Sequence, residues 1–168
     1  MTKAIMSWCL SAWEALPSCA LASWNEAARI GKQTGLDCFL SRNLQALKKK
    51  ASLANFIVSP GMEKAIEIKA LAVFADRRYV DITARLGSEI PGASIRAVHF
   101  VILRHQSVAA QFVGSFMAAT DDEAPFTVSV CLAGMEAGRY MVWAFSECLD
   151  CHGSLKFGSS ISASFSKA

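Results

Sequence analysis

Charge is scarce in this chain. Only 18% of its 168 residues are Asp, Glu, Lys or Arg, while 53% are hydrophobic. Disordered proteins have the reverse balance, so the composition predicts a chain with a packed core. Long apolar runs are missing too. No stretch approaches the 18 uninterrupted apolar residues from which a membrane-spanning helix is read. The apolar opening from Met1 to Trp24 is broken by Glu14 and Pro17, and its early positive charge is limited to Lys3. A secretory leader needs a basic head, an unbroken apolar stretch and a small-residue cleavage site, so none is predicted. There is no GxxxxGK[ST], no GxGxxG and no GxSxG. The sequence therefore predicts neither a phosphate-cradling loop nor a nucleophile elbow.

What is present fits one domain of ordinary size. Net charge is +3, but it is unevenly spread. Residues 1–104 carry 14 Lys and Arg against 8 Asp and Glu, whereas residues 105–168 carry 3 against 6. An apolar content this high predicts that a protein partner or a second copy covers part of the surface. Six cysteines stand at positions 9, 19, 38, 131, 148 and 151. In a chain of this length with no predicted leader they read as reduced thiols, and the expected location is cytoplasmic.

Three helices are expected at the front. Ile5, Cys9, Ala12, Trp13 and Leu16 recur at spacings of three and four over 4–16. Pro17 ends that helix. Ser23 with Glu26 has the form of a capping box and predicts a second helix running to about Ile30. Thr34 and Asp37 open a third, which turns Phe39, Leu40, Leu44 and Leu47 inward and ends in Lys48, Lys49 and Lys50. Positive charge suits that helix end. Trp8, Trp13 and Trp24 are candidates for an interface or for packing on the body. Residues 55–61 read as a linker or turn.

Beyond it the period becomes two. Residues 64–74 alternate, with Ile66, Ile68, Ala70, Ala72 and Phe74 on the inward side. Residues 79–86, 94–104, 126–132 and 139–145 alternate in the same way, and 108–118 does so less cleanly. The tail repeats the pattern with Ile161, Ala163 and Phe165 opposite serines. Residues 126–132 and 139–145 have hairpin spacing. Six or seven strands about ten residues apart predict an α+β chain, mainly β: N-terminal helices, then an antiparallel sandwich or barrel. The expected division is 1–54 helical, packing on the body or mediating self-association, and 62–168 sandwich, together one compact unit.

One motif invites chemistry. Cys148–Leu149–Asp150–Cys151–His152 matches C-x-x-C-H, the pattern of covalent haem attachment. Small domains of that type are helical, whereas this motif falls among predicted strands. As zinc ligands, Cys148, Cys151 and His152 would need a fourth partner such as Cys131, His99 or His105, and no second paired spacing exists. The expectation is a strand-to-turn corner with no metal and no cofactor. His99 and His105 lie six residues apart on one strand, roughly 20 Å at strand rise, so they cannot share a site. Asp121, Asp122 and Glu123 read as a solvated loop.

Lys48, Lys49, Lys50, Arg77, Arg78, Arg85, Arg96 and Arg104 are the candidate nucleic-acid contacts. Arg96 and Arg104 share a register in that reading. The strand succession from Ile95 to Phe145 is similar to that of plant-virus movement and capsid proteins. That resemblance implies RNA binding and self-assembly, and it transfers no functional residue. The sequence thus points to a non-enzymatic interaction or assembly protein working through a β-sandwich surface and Trp-rich helices. Its partner is expected to be a protein or a second copy, with no membrane span. The alternatives are an RNA-binding, viral capsid-like or movement-like protein, or a small pocket enzyme using a His or Cys.

Overall fold

The computed structural model describes residues 2–50, 52–105, 111–119 and 125–168. The acidic run at 121–123 lies outside them. Helices α1 (Thr2–Ala15), α2 (Ser18–Gly31) and α3 (Gly35–Lys49) come first. Eight strands follow among the described residues: β1 (Ile68–Ala75), β2 (Tyr79–Leu86), β3 (Ser94–Arg104), β4 (Gln111–Ala119), β5 (Phe126–Cys131), β6 (Gly138–Leu149), β7 (Leu155–Phe157) and β8 (Ile161–Lys167). The helices-then-antiparallel-sheets class read from the sequence is the class observed. No helix among the described residues is long and apolar enough to cross a membrane.

Helix ends follow local chemistry. Thr34 caps α3 by accepting the Asp37 N–H at 3.1 Å, while its hydroxyl donates to the Asp37 carboxylate at 2.7 Å. The second helix departs from expectation, because it begins at Ser18, directly after Pro17. Proline has a fixed φ and no N–H, which suits the entry to a helix as well as it ends one. Ser23 therefore sits mid-helix, fully buried, and donates to the Ala20 carbonyl.

The strands form two antiparallel sheets, β1-β2-β5 and β4-β3-β6-β7, with β8 also paired to β6. The chain crosses from one sheet to the other between β2 and β3, between β4 and β5, and between β5 and β6. β8 faces β1, and β4 approaches β5, so each side of the sandwich is partly closed. Val80, Ile82 and Ala84 of the small sheet meet Val98, Phe100, Ile102, Val142 and Ala144 of the large one. The opposite face of the large sheet offers Val101, Leu103, Trp143 and Phe145 to the helices. The molecule thus has three layers. β3 and β6 are buried on both faces, which explains why their sequences are apolar throughout rather than alternating.

Three sequence expectations give way here. First, β5 and β6 are not a hairpin. β5 pairs with β2 in one sheet and β6 with β3, β7 and β8 in the other. Residues 132–137 cross between layers. Second, a bulge between Ile68 and Ala70 slips the alternation of β1 by one residue. Such a slip exchanges the two faces. Leu71 and Val73 consequently pack inward and Phe74 is left 71% exposed. Third, the tail divides at 158–160 into two strands, bringing the total among the described residues to eight.

Residues 56–60, expected to be a linker, form a buried strap between the helices and the large sheet. Phe56, Val58 and Ser59 are almost wholly buried. Burying irregular backbone requires partners for its polar groups, and side chains supply them. Trp143 donates its indole N–H to the Phe56 carbonyl (2.9 Å), and Trp24 donates to that of Val58 (2.8 Å). Asn43 grips Ile57 from both sides, accepting its N–H at 2.8 Å and donating to its carbonyl at 3.1 Å. Ser160 Oγ accepts the N–H groups of Val58 and Ser59, each at 3.1 Å. The Phe56 ring meets Trp8, Phe39 and Trp143 edge-on, with centroids 5.0–5.8 Å apart.

Candidate functional site

An open cleft lies at one end of the sandwich. β2 ends at Leu86, β3 starts at Ser94, and β5 starts at Phe126. Around these ends is a cleft of about 1040 Å³. Ile66, Leu86, Ile90, Ala93 and Ile95 give it apolar walls, and Arg85 and Glu89 supply one charge of each sign. Several of the same side chains pack on buried Ala65, Ile66 and Cys148, so the cleft opens off a small core. Loops carried on a rigid sandwich are a common place for recognition.

The turn that carries the C-x-x-C-H motif supports this end. Asp150 Oδ1 accepts the N–H groups of His152 and Ser154, both at 2.9 Å. The bond from Ser154, followed by that from His152, holds the Asp150 carboxyl below the usual range against the opposing effect of desolvation. Cys151 sits against Gly92. A side chain at Gly92 would come within 2.8 Å of the Cys151 Cβ, and the φ of +75° there favours glycine. Cys148 is buried and takes a contact from the Ile66 N–H, whereas Cys151 and His152 are exposed. The motif therefore does not converge. Among the described residues no group of three His, Cys, Asp or Glu side chains stands close enough to hold a metal.

The other candidate chemistry is a histidine–carboxylate pair. His99 Nε2 lies 2.7 Å from Glu147 Oε2, and Arg96 lies 3.6 Å from the other carboxylate oxygen. The imidazole stacks on Phe145 at 5.2 Å. These residues tie β3 to β6 where the bulge between Ile95 and Ala97 disturbs the ladder. Cys19 is near enough for the Glu147 charge to add to the dominant effect of burial, and its thiol pKa is raised. Burial likewise raises Cys148, and pushes Cys9 up to about 11. These thiols stay protonated near neutral pH, the opposite of an activated nucleophile. The pair acts as a clamp between strands. Sequence reading paired His99 with other histidines and cysteines, and missed Glu147, its partner on a strand 48 residues away.

The tryptophans are drawn inward. Trp24 is 0% exposed, which puts it inside this chain rather than at a contact with another. Trp8 and Trp13 are partly buried and rest on Phe56 and Phe39. The basic candidates divide by position along the strands. Arg85 borders the cleft and Arg96 is bound to Glu147. Lys48, Lys49, Lys50, Arg77, Arg78 and Arg104 all fall at the opposite end. There Arg104 is bound to Glu136 and donates to the Ala137 carbonyl. Arg96 and Arg104, expected to act together, thus hold different carboxylates at the two ends of β3. Arg77 and Arg78 are exposed at the β1–β2 turn, which Asp76 organises by accepting the N–H groups of Arg78 and Tyr79.

No protein-family model and no curated protein matches this chain. Among solved structures it is similar to a DUF3244 family protein with an immunoglobulin-like β-sandwich fold from Bacteroides vulgatus. That match has 14% identity and a TM-score of 0.33, covering 62% of this chain and 98% of the other. It is also similar to a superoxide reductase from Nanoarchaeum equitans, at 13% identity and a TM-score of 0.35, covering 63% of this chain and 96% of the other. Likenesses this distant carry no argument about what the chain does.

Proposed function

We propose that the protein is a non-enzymatic interaction protein whose loop-end cleft takes a short apolar segment of a partner protein. The cleft is the observation that carries this reading. Its volume is that of a ligand site. Its walls are aliphatic, and Arg85 and Glu89 offset each other, so the site selects against a strongly charged ligand. An extended segment with two or three aliphatic or aromatic side chains matches those walls, and the polar rim fixes its orientation.

Ala93→Trp tests the reading by filling the cleft from a half-buried position. Random peptides displayed on phage would be selected against the wild-type protein and then titrated against both proteins. The expected result is enrichment of apolar segments whose Kd rises at least tenfold with Ala93→Trp, while the melting temperature changes little. Charged segments among the winners, or apolar winners indifferent to the substitution, would sink the proposal. Sedimentation of the free protein asks separately whether a second copy competes for the cleft.

A further inference from the structure

The far end of the molecule carries a different kind of surface. At strand rise, β3 alone puts it about 30 Å from the cleft. Lys48, Lys49 and Lys50 end α3, and the chain then turns back on itself. Ser52 N–H donates to the Lys50 carbonyl at 2.8 Å, and Asn55 Nδ2 donates to the same oxygen at 3.1 Å. This corner rests on β6 and β8, where Ser162 Oγ reaches the Ala54 carbonyl at 3.5 Å. Between the corner and the sheet is a second cleft, of about 200 Å³. Its polar lining includes Ser52, His105, Arg139 and Ser164. His105 N–H donates to the Arg139 carbonyl at 2.9 Å, so the start of β6 fixes both residues.

Positive charge predominates at this end. Lys48, Lys49, Lys50 and Arg139 are exposed, and none of them makes an ion pair among the described residues. The nearby Glu136 is already bound by Arg104. At the same end Leu132 N–H donates to the Arg78 carbonyl at 2.7 Å, which ties the turn bearing Arg77 and Arg78 to this region. Arg139 lines a partly polar hollow large enough for one phosphate group, and the lysine run ends next to its Ser52 wall, the Lys50 carbonyl accepting the Ser52 N–H. That pattern suits a polyanion with regularly spaced phosphates better than a small acid. At the hollow itself Leu53 and Met141 are only partly exposed, and the protruding Phe74 and Tyr79 stand apart at the β1–β2 turn, whereas a membrane-binding surface would offer protruding apolar side chains beside the lysines.

We infer that this end binds the phosphate backbone of single-stranded nucleic acid, with one phosphate seated among Ser52, His105, Arg139 and Ser164 and its neighbours held by Lys48, Lys49 and Lys50. The site is separate from the peptide cleft, and either assignment can fail alone.

The test is fluorescence anisotropy with a labelled 12-nucleotide oligouridine over a salt series. Four neutralised phosphates predict a slope of log K against log salt near −3, at about −0.7 for each phosphate on a single strand. Combining Lys48→Gln, Lys49→Gln and Lys50→Gln should bring the slope to about −1. Arg139→Gln alone should weaken binding several-fold and make the slope shallower by about 0.7. Arg85→Gln, at the cleft end, should change affinity less than twofold. Unchanged melting curves would show that these surface variants fold. The inference is overturned by absence of binding at 50 mM salt, by a salt-independent affinity, or by an equal loss on Arg85→Gln. Vesicles rich in phosphatidylserine provide the rival polyanionic surface. Retention on them with the same variant dependence, and none on oligouridine, would also overturn it.

Discussion

Phe56→Ala is the sharpest probe of how the layers are joined. Phe56 is 2% exposed, lies on the strap between the helices and the large sheet, and contacts Trp8, Phe39 and Trp143 edge-on. Truncating a core phenylalanine costs about 3–5 kcal/mol. Edge-on aromatic pairs add stability beyond their buried area, and loss of three places this site at about 5 kcal/mol. Native proteins have a total of about 5–15 kcal/mol, so a loss of this size removes a large share of the stability. At about 2–4 °C per kcal/mol, the variant's melting temperature should fall by about 10–20 °C. The assay is urea unfolding, followed in parallel by far-UV circular dichroism for the helices and by hydrogen exchange of β3 and β6 amides for the sheet. Both should shift to lower urea together, because the ring belongs to one core. Phe56→Leu, which keeps most of the volume but loses the three edge-on contacts, should cost about 2–3 kcal/mol, less than the alanine. A loss below about 1 kcal/mol for Phe56→Ala would refute the packing argument. So would helices that melt away while the sheet amides keep their protection, which would make the helices a separate unit.

Two further perturbations test the polar part of the same design. Asn43→Ala removes both bonds to Ile57 and leaves a part-buried N–H and carbonyl without partners. It should cost about 3 kcal/mol, and near-neutral stability in urea melts would mean that water replaces the amide. The acid limb of stability should depend on Asp150. Its folded pKa is depressed, so its contribution is complete above the ordinary carboxylate value and is lost as the pH falls through the folded value. Asp150→Asn should lower the melting temperature at pH 7 more than at pH 2.5, and equal losses at the two pH values would show that ionisation is irrelevant there.

Much of the fold was legible because strand periodicity is local. Residues 79–86 and 94–104 became β2 and β3 as read, and the third helix starts at its Thr34 cap. What failed was non-local. The bulge at Lys69 changes the inward face of β1, and no feature of the alternation announces it. The spacing of β5 and β6 is the same whether their connection turns back or crosses to another sheet. Residues 56–60 carry Pro60 and Gly61 as a loop would, and their burial depends on Asn43, Trp24, Trp143 and Ser160, distant in the chain. The candidate sites suffered the same limit. The basic residues are scattered over 57 positions between Lys48 and Arg104, and antiparallel pairing decides which of them meet. Arg139 was read as the start of a strand, with no cue that it would join Lys48–Lys50.

The strap also sets an order of events during synthesis. Its backbone is completed by Ser160, about a hundred residues later in the chain. At about 5–20 residues per second, the helices bearing Trp8, Trp13 and Trp24 wait on the order of 5–20 s after their own synthesis before that serine exists. For most of that interval, until β6 is made, their apolar faces lack Trp143 and Phe145 of the sheet that covers them in the finished molecule. Three tryptophans of the early chain thus stay partly uncovered until late strands are made. The protein's yield in a cell should depend on how quickly the last strand is made and on what shields three tryptophans until then.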